Sequence, residues 1–450
     1  MTALGARLVV AGTSSGVGKT TVATGLLAAL RRAGHRPAGA KVGPDFIDPG
    51  YHALACGRPP RNLDAWLCGA GAMAPLAGRA SAGAGVLVVE GVMGLFDGSS
   101  DGTASSTADV ARLLEAPVVL VVDASAMSAS VAAMVHGYAS FEPAVRVGGV
   151  ILNQVGSDGH EVLLREALAP IGIPVLGALH RDDRLRWRDR HLGLVPVAEE
   201  PARAAAALDR LADLVAGRVD LAAVMALARS APSRATGEVA LPAPGAPTTV
   251  AVAGGAAFTF TYTDTVEALE AAGARTVVFD PLHEPALPEG VDGVIIGGGF
   301  PEVFAPALAD NRPLLRQLAA TDVPLWAECG GLLLLGQEID GHRMAGVVPA
   351  RATMTGRLTL GYRTATTLAE TPLGPVGTVL RGHEFHYSQL EPAGPALRLA
   401  SRWGERQEGY GGSRLMATYL HYHPGGDPAP VGSFVRSCAL HRALRRARKP

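Results

Sequence analysis

The sequence predicts an α/β protein of two domains, the first built on a doubly wound parallel sheet. Three observations carry that prediction. The runs Arg7–Ala11, Val86–Val89, Val118–Val122 and Val147–Leu152 are near-continuously apolar, as strands buried on both faces of a parallel sheet are. Around them, Thr20–Arg32 and Ala202–Ala216 carry apolar residues at helical spacing. The chain has 450 residues, and at roughly 150 residues per domain that is enough for two or three cores. In such a sheet ligands sit at the carboxyl ends of the strands, so function is sought just after each run.

Elements in chain order support this layout. The first domain is expected over residues 1–230, and Ser230–Pro247, rich in Pro and Ala without periodicity, reads as an interdomain linker, taken as 231–247. The alternation then restarts with strands at Thr249–Ala253, Arg275–Phe279, Gly293–Ile296 and Val323–Ala327, and a helix at Thr263–Ala272. A second α/β domain is expected over 248–440, followed by a basic tail, 441–450, in which Arg442, Arg445, Arg446, Arg448 and Lys449 read as a solvated helix end.

Composition excludes several classes. Lys plus Arg is 40 and Asp plus Glu is 41, a net charge of −1, so the electrostatic footprint of a nucleic-acid or acidic-membrane binder is missing. With 48% hydrophobic and 18% charged residues the chain is an ordered globular one. Its four Cys, at 56, 68, 329 and 438, form no C-x-x-C pair, which excludes a disulfide framework or a Cys-rich zinc site and fits a reducing compartment. The N-terminal apolar run is too short for a signal segment, and the best candidate for a membrane span, Ala116–Val122, stops at Asp123, well short of the roughly 20 residues of a membrane helix. The expectation is a soluble, cytoplasmic protein.

Residues 12–21, G-T-S-S-G-V-G-K-T-T, stand directly between a strand and a helix. Glycines such as Gly16 and Gly18 let backbone N–H groups approach phosphate oxygens. Lys19 reaches the outer phosphates, and Thr20 offers a hydroxyl to magnesium, with Thr13 and Thr21 completing the cradle. The loop is a variant of G-x-x-x-x-G-K-[ST], since Thr13 stands where that form has its first Gly. A magnesium ion requires carboxylates from other strand ends. K-V-G-P-D-F-I-D-P supplies Lys41, Asp45 and Asp48, and V-V-E-G-V-M-G-L-F-D-G supplies Glu90 and Asp97. Glu90 ends a buried strand, where a carboxylate needs a partner such as a metal, while Asp45 can instead cap structure and Asp48, Asp97 and Asp123 can serve turns. Asn153, ending another strand, either reads a base edge or caps a turn.

Trp326-Ala327-Glu328-Cys329-Gly330-Gly331 followed by four leucines reads as strand, sharp turn and helix. A thiol there sits at a helix N-terminus, where the dipole is expected to lower its pKa, so Cys329 is a candidate nucleophile. His421 or His423, after the expected strand Leu415–Leu420, is the candidate base, with His421 preferred because it comes first. Gly298, Gly299 and Gly330 are placed to supply oxyanion N–H donors. R-G-H-E-F-H-Y-S, residues 381–388, gathers His383, Glu384 and His386 at a density that suits a polyanionic ligand or a domain contact more than a metal.

In order, the loop G-T-S-S-G-V-G-K-T-T, K-V-G-P-D-F-I-D-P, N-L-D (62–64), E-G-V-M-G-L-F-D-G, G-G-G-F-P-E (297–302), A-E-C-G-G and R-G-H-E-F-H-Y-S resemble the cobyrinic and hydrogenobyrinic acid a,c-diamide synthases over nearly the whole chain. That resemblance implies a first domain like dethiobiotin synthetase and a second like a class I, triad-type glutamine amidotransferase. It implies ATP and Mg2+ as cofactors, held by Lys19, Thr20, Asp45 and Glu90, with Lys41 offsetting phosphate charge. It also implies a corrinoid substrate near Asp48, Asp97, His383 and His386, glutamine as nitrogen donor, and room for a homodimer. Cys329 would attack glutamine and His421 would activate it. The usual His-Pro-Glu ending is absent, because His423 takes the acid's place, so Glu384 or Glu328 is left to complete the triad. Sister amidoligases, cobyric acid synthase and a nickel-tetrapyrrole diamide synthase, follow the same logic, but the motifs favour the a,c enzyme. A partitioning P-loop ATPase is disfavoured by the second domain and by the lack of a signature Lys near Ser14.

Overall fold

The run R-L-V-V-A-G ahead of the glycine-rich loop forms the strand Arg7–Gly12, every residue of it buried, at the point where strand order reverses. On one side it pairs with Val86–Glu90 and on the other with Val118–Asp123. The full order is 62–63, 37–42, 86–90, 7–12, 118–123, 147–155, 175–180, and every pairing is parallel. Such a reversal opens a crevice at the strand ends, and the phosphate loop lies there. The helix Lys19–Arg32 buries Val22, Leu26, Leu27 and Leu30 against the sheet. It also packs on the helix Pro201–Arg218, close enough that a Cβ on Gly25 would stand 2.6 Å from Val215 Cγ2.

The computed structural model describes residues 3–99, 103–182, 189–190 and 193–447. They fall into two units, Met1–Val239 and Ala240–Pro450. The early part of the expected linker is structure of the first unit. Arg234–Ala235 pairs antiparallel with Ala3–Leu4, and the buried Arg7 guanidinium donates to Leu114 O at 2.6 Å and Pro232 O at 2.8 Å. A buried cation requires such acceptors, and they draw the 230s onto the sheet.

In the second unit the strands Ala274–Phe279, Thr248–Ala253, Gly293–Ile296, Leu325–Glu328 and Leu415–Thr418 lie side by side in parallel, with Tyr410–Gly412 antiparallel at the edge. A second sheet is built on the long antiparallel pair Arg351–Thr367 and Val379–Glu391, to which His421–Tyr422 adds at Gly382 and His383. Sequence reading had no strands for 351–367 or 379–391, because their polar and apolar residues alternate with no apolar run. The basic tail is the end of the helix Ala429–Ala447, and Arg442 and Arg445 reach the buried Asp292 at 3.6 and 3.3 Å instead of ending in solvent. Arg448 and Lys449 lie outside the described residues.

Candidate functional site

In the first unit the loop 12–18 closes onto the helix N-cap Gly18, whose φ of 94° favours glycine. A Cβ on Gly18 would also stand 2.2 Å from Asn153 Nδ2. That buried amide donates to the Val17 carbonyl at 2.9 Å, so Asn153 braces the loop and its amide nitrogen is not presented to a base. Thr13 donates its N–H to Val121 O at 3.2 Å, and its carbonyl accepts the Tyr138 hydroxyl. Gly16, at φ 80°, has open space where a side chain would stand. Lys19 Nζ donates to Ser14 O at 2.9 Å, and burial, then the Lys41 charge, hold its pKa down to about 8. Thr21 is half-buried in the first helical turn.

Beneath the loop, two strand ends, with Lys41 and Glu90, and the starts of two helices, with Thr20, Asp48 and His52, deliver a buried polar cluster. Lys41 Nζ donates to Asp48 Oδ2 at 2.6 Å, Glu90 Oε1 at 2.7 Å and Gly91 O at 3.1 Å. The Thr20 hydroxyl donates to the same Glu90 oxygen at 2.7 Å, with Asp48 Oδ2 3.1 Å away. His52 Nε2 donates to the other Glu90 oxygen at 2.6 Å. Burial alone would raise the Glu90 pKa, but Lys41 and His52 together hold it below the ordinary carboxylate range. Burial, then the charge of Asp45, push Asp48 up despite Lys41. The pattern is of more negative charge than one ammonium neutralises.

The placement differs from the expected roles in detail. Asp48, assigned to substrate, converges with Thr20 and Glu90, whereas Asp45 lies 4.0 Å from Lys41 Nζ and caps the helix Asp48–Cys56, accepting the N–H of Ile47 at 2.8 Å and of Asp48 at 3.1 Å. Asp97 folds its own loop, accepting the Gly94 N–H at 2.8 Å. His52 was missed, although it stands four residues after Asp48 on one helix face, the spacing that places two side chains together. The N-L-D motif is structural: Asn62 Nδ2 donates to Gly43 O and Asp45 O, and Asp64 Oδ1 accepts from Trp66 and Leu67 as a helix cap.

In the second unit Cys329 ends the strand Leu325–Glu328 with φ 47° and ψ −103°, a strained conformation costing roughly 1–3 kcal/mol. The turn needs glycine behind it, because a Cβ on Gly331 would stand 2.0 Å from Ile296 O. The expected lowering of the thiol pKa does not hold: burial, then Glu302, push it up, and the six-residue helix Gly330–Leu335 with the Gly330 N–H does not offset them. The resting thiol is protonated and needs a base.

His421 is that candidate base, buried, with Nδ1 3.6 Å from Glu328 Oε2. The other Glu328 oxygen is fixed by the Trp326 indole N–H at 3.1 Å and the Tyr422 N–H at 3.2 Å. Of the two carboxylates left open by the sequence, Glu328 therefore faces His421. Glu384 is engaged by Arg363 at 2.6 Å, by Arg406 and by His386 at 3.6 Å. His423 accepts the Gly425 N–H at 3.0 Å and lies 3.9 Å from Asp264. His383 stacks on His421, ring centroids 5.0 Å apart, and burial, then His421, push its pKa well down, so it is neutral. His386 stacks on Tyr419 at 3.7 Å. Both are buried, and their rings lie against His421 and Tyr419 of the second unit.

The oxyanion donors also sort. The Gly298 N–H is committed to Phe260 O at 3.1 Å, which removes it from that role. The Gly299 N–H has no acceptor among the described residues and lies 3.1 Å from where a Cβ on Gly330 would stand. Gly298 matters sterically, since its Cβ would meet His421 Cε1 at 2.4 Å. Gly298→Ala is expected to displace the ring and lower turnover at the thiol site by about 10²-fold, as a steady-state assay of that site would read.

Residues 8–195 match the CobQ/CobB/MinD/ParA nucleotide binding domain and residues 249–429 the CobB/CobQ-like glutamine amidotransferase domain. The chain is 49% identical to a protein of Streptomyces coelicolor named hydrogenobyrinate a,c-diamide synthase, over 96% of this chain and 97% of that one. It is 47% identical to the protein of that name from Thermobifida fusca, over 97% of both chains. It is 44% identical to the cobyrinate a,c-diamide synthase of Syntrophotalea carbinolica, over 96% of this chain and 98% of the other. Among the described residues no helix is long and apolar enough to cross a membrane.

Proposed function

This chain belongs to the cobyrinate and hydrogenobyrinate a,c-diamide synthase family, and from that membership we propose that it amidates the a and c side-chain carboxylates of hydrogenobyrinic or cobyrinic acid, using ATP and ammonia from glutamine. The observation that carries the reading is that one chain holds a phosphate loop ringed by carboxylates in one unit and a strained thiol turn with His421 and Glu328 in the other. Hydrogenobyrinic acid is the favoured substrate, since relatives at 49%, 48% and 47% identity are named for it and the one at 44% for cobyrinate.

In the glutaminase half-reaction, His421 takes the Cys329 proton as sulfur attacks the glutamine carboxamide carbon, and returns it to the departing ammonia. Glu328 stabilises the imidazolium, and the Gly299 N–H is the donor offered to the oxyanion. Water then hydrolyses the thioester to glutamate. In the synthetase half-reaction a substrate carboxylate oxygen attacks the γ-phosphorus of ATP and ADP leaves. Ammonia attacks the acyl carbon and inorganic phosphate departs, leaving the amide. Lys19 and the loop N–H groups hold the phosphates. Thr20, Asp48 and Glu90 bring three hard oxygen donors together beneath the loop, the donor chemistry that magnesium takes, and Lys41 shares the two carboxylates; when bound, the ion would supply neutralisation of phosphate charge. Four buried free cysteines support a reducing, cytoplasmic setting.

The test is mass spectrometry of hydrogenobyrinic and cobyrinic acid incubated with MgATP and glutamine. The reading expects a product with two amides. No amide on either macrocycle, with ATP hydrolysis intact, would sink it.

A further inference from the structure

The glutaminase groups hang from one buried carboxylate that the proposed mechanism does not use. Glu408, only 2% exposed, ends the strand Gly404–Glu408 of the antiparallel sheet and accepts two hydrogen bonds at the end of the strand Leu415–Thr418 of the parallel one: one from the Thr418 hydroxyl, one from the Tyr419 N–H at 3.2 Å. With its proton directed at Glu408, Thr418 Oγ1 accepts the Leu420 N–H at 3.0 Å. The Thr418 carbonyl accepts the Cys329 N–H at 2.8 Å. His421 follows three residues after Thr418. Thus one carboxylate orders the segment 418–420, whose carbonyl side tethers the strained Cys329 backbone and whose chain continues into the base.

We propose that Glu408 is a positioning residue for glutamine hydrolysis, fixing the separation of the Cys329 thiol and the His421 imidazole through Thr418. The inference rests on the reading of Cys329 as the glutaminase nucleophile. Three features support a purpose beyond packing. A buried carboxylate is a costly way to fill space, and an apolar side chain would leave the Thr418 and Tyr419 donors without acceptors. Cys329 sits in a conformation that persists only when its surroundings over-determine it, and its N–H to Thr418 is one of those restraints. The charged groups around Glu408 are Glu384 and Arg406; burial, and Glu384 after it, raise the Glu408 pKa to about 7.

The test measures glutamate release from glutamine, and separately ammonia-supported amide formation, on the full chain. Glu408→Gln keeps one acceptor and the shape; Thr418→Val removes the hydroxyl and keeps the carbonyl tether. Glu408→Gln is expected to lower kcat for glutamine by about tenfold while leaving KM within about twofold, and to flatten the wild-type pH dependence of kcat near neutrality. Thr418→Val is expected to lower kcat in the same way, and ammonia-supported activity should be unchanged in both. An unchanged kcat and pH profile in Glu408→Gln, or equal loss of the glutamine and ammonia activities, would overturn the proposal. Cys329→Ala run in parallel separates the two readings: glutamate release surviving in that variant would refute the nucleophile assignment whatever Glu408 does.

Discussion

Cys329→Ala is expected to lower amide formation from glutamine by on the order of 10³-fold or more, and to leave amide formation from ammonium salts within about twofold of the native protein. The asymmetry follows from the chain's division into two units, each with its own sheet. The thiol turn belongs to the second, and no atom of the cluster of Thr20, Lys41, Asp48 and Glu90 depends on it. Alanine removes the sulfur and nothing else, and the backbone tether from residue 329 to Thr418 is kept. The loss is therefore chemical. Equal loss with both donors would mean that the variant had unfolded or that the thiol acts elsewhere. Full activity with glutamine would assign the nucleophile to another residue.

Lys41→Met has the other large expected effect, and it falls on stability as well as activity. Lys41 is the cation shared by Asp48 and Glu90, all three buried, and methionine matches its length without its charge. Removing one partner of such a cluster leaves uncompensated charge and costs about 3–5 kcal/mol. Glu90 keeps His52 and Thr20, whereas Asp48 loses its closest partner, so Asp48 is expected to take up a proton at neutral pH. Because magnesium binding would replace the missing charge, added Mg2+ is expected to recover part of the lost stability. Denaturant unfolding with and without Mg2+ reads both effects. A midpoint unchanged from the native protein would show that the cluster is not the electrostatic unit described above.

The first unit's sheet was legible because parallel strands buried on both faces leave apolar runs, and Arg7–Gly12, Val86–Glu90 and Val118–Asp123 lie within a residue of expectation. Pro37–Val42 was not, since P-A-G-A-K-V has neither β-branched bulk nor length, and its strand character comes from the neighbours that flank it. The site residues divide in the same way. Lys19, Thr20, Glu90 and Cys329 announce themselves by standing next to glycines or at the end of apolar runs. His52 and Glu408 do not, and sequence leaves Glu328 level with Glu384, because these roles arise from contacts between elements distant in sequence, such as His52 with Glu90 and Glu328 with His421. The thiol pKa was misjudged for a related reason: the short helix visible in sequence favours the anion, but the burial that outweighs it comes from tertiary packing.

The central claim is that this chain activates a carboxylate by phosphorylation and resolves it with ammonia. The most direct measurement uses hydrogenobyrinic acid carrying 18O in its side-chain carboxylates, incubated with MgATP and glutamine. The account predicts one labelled oxygen in inorganic phosphate for each amide formed. Label recovered in AMP, or amides formed with no label in phosphate, would contradict it.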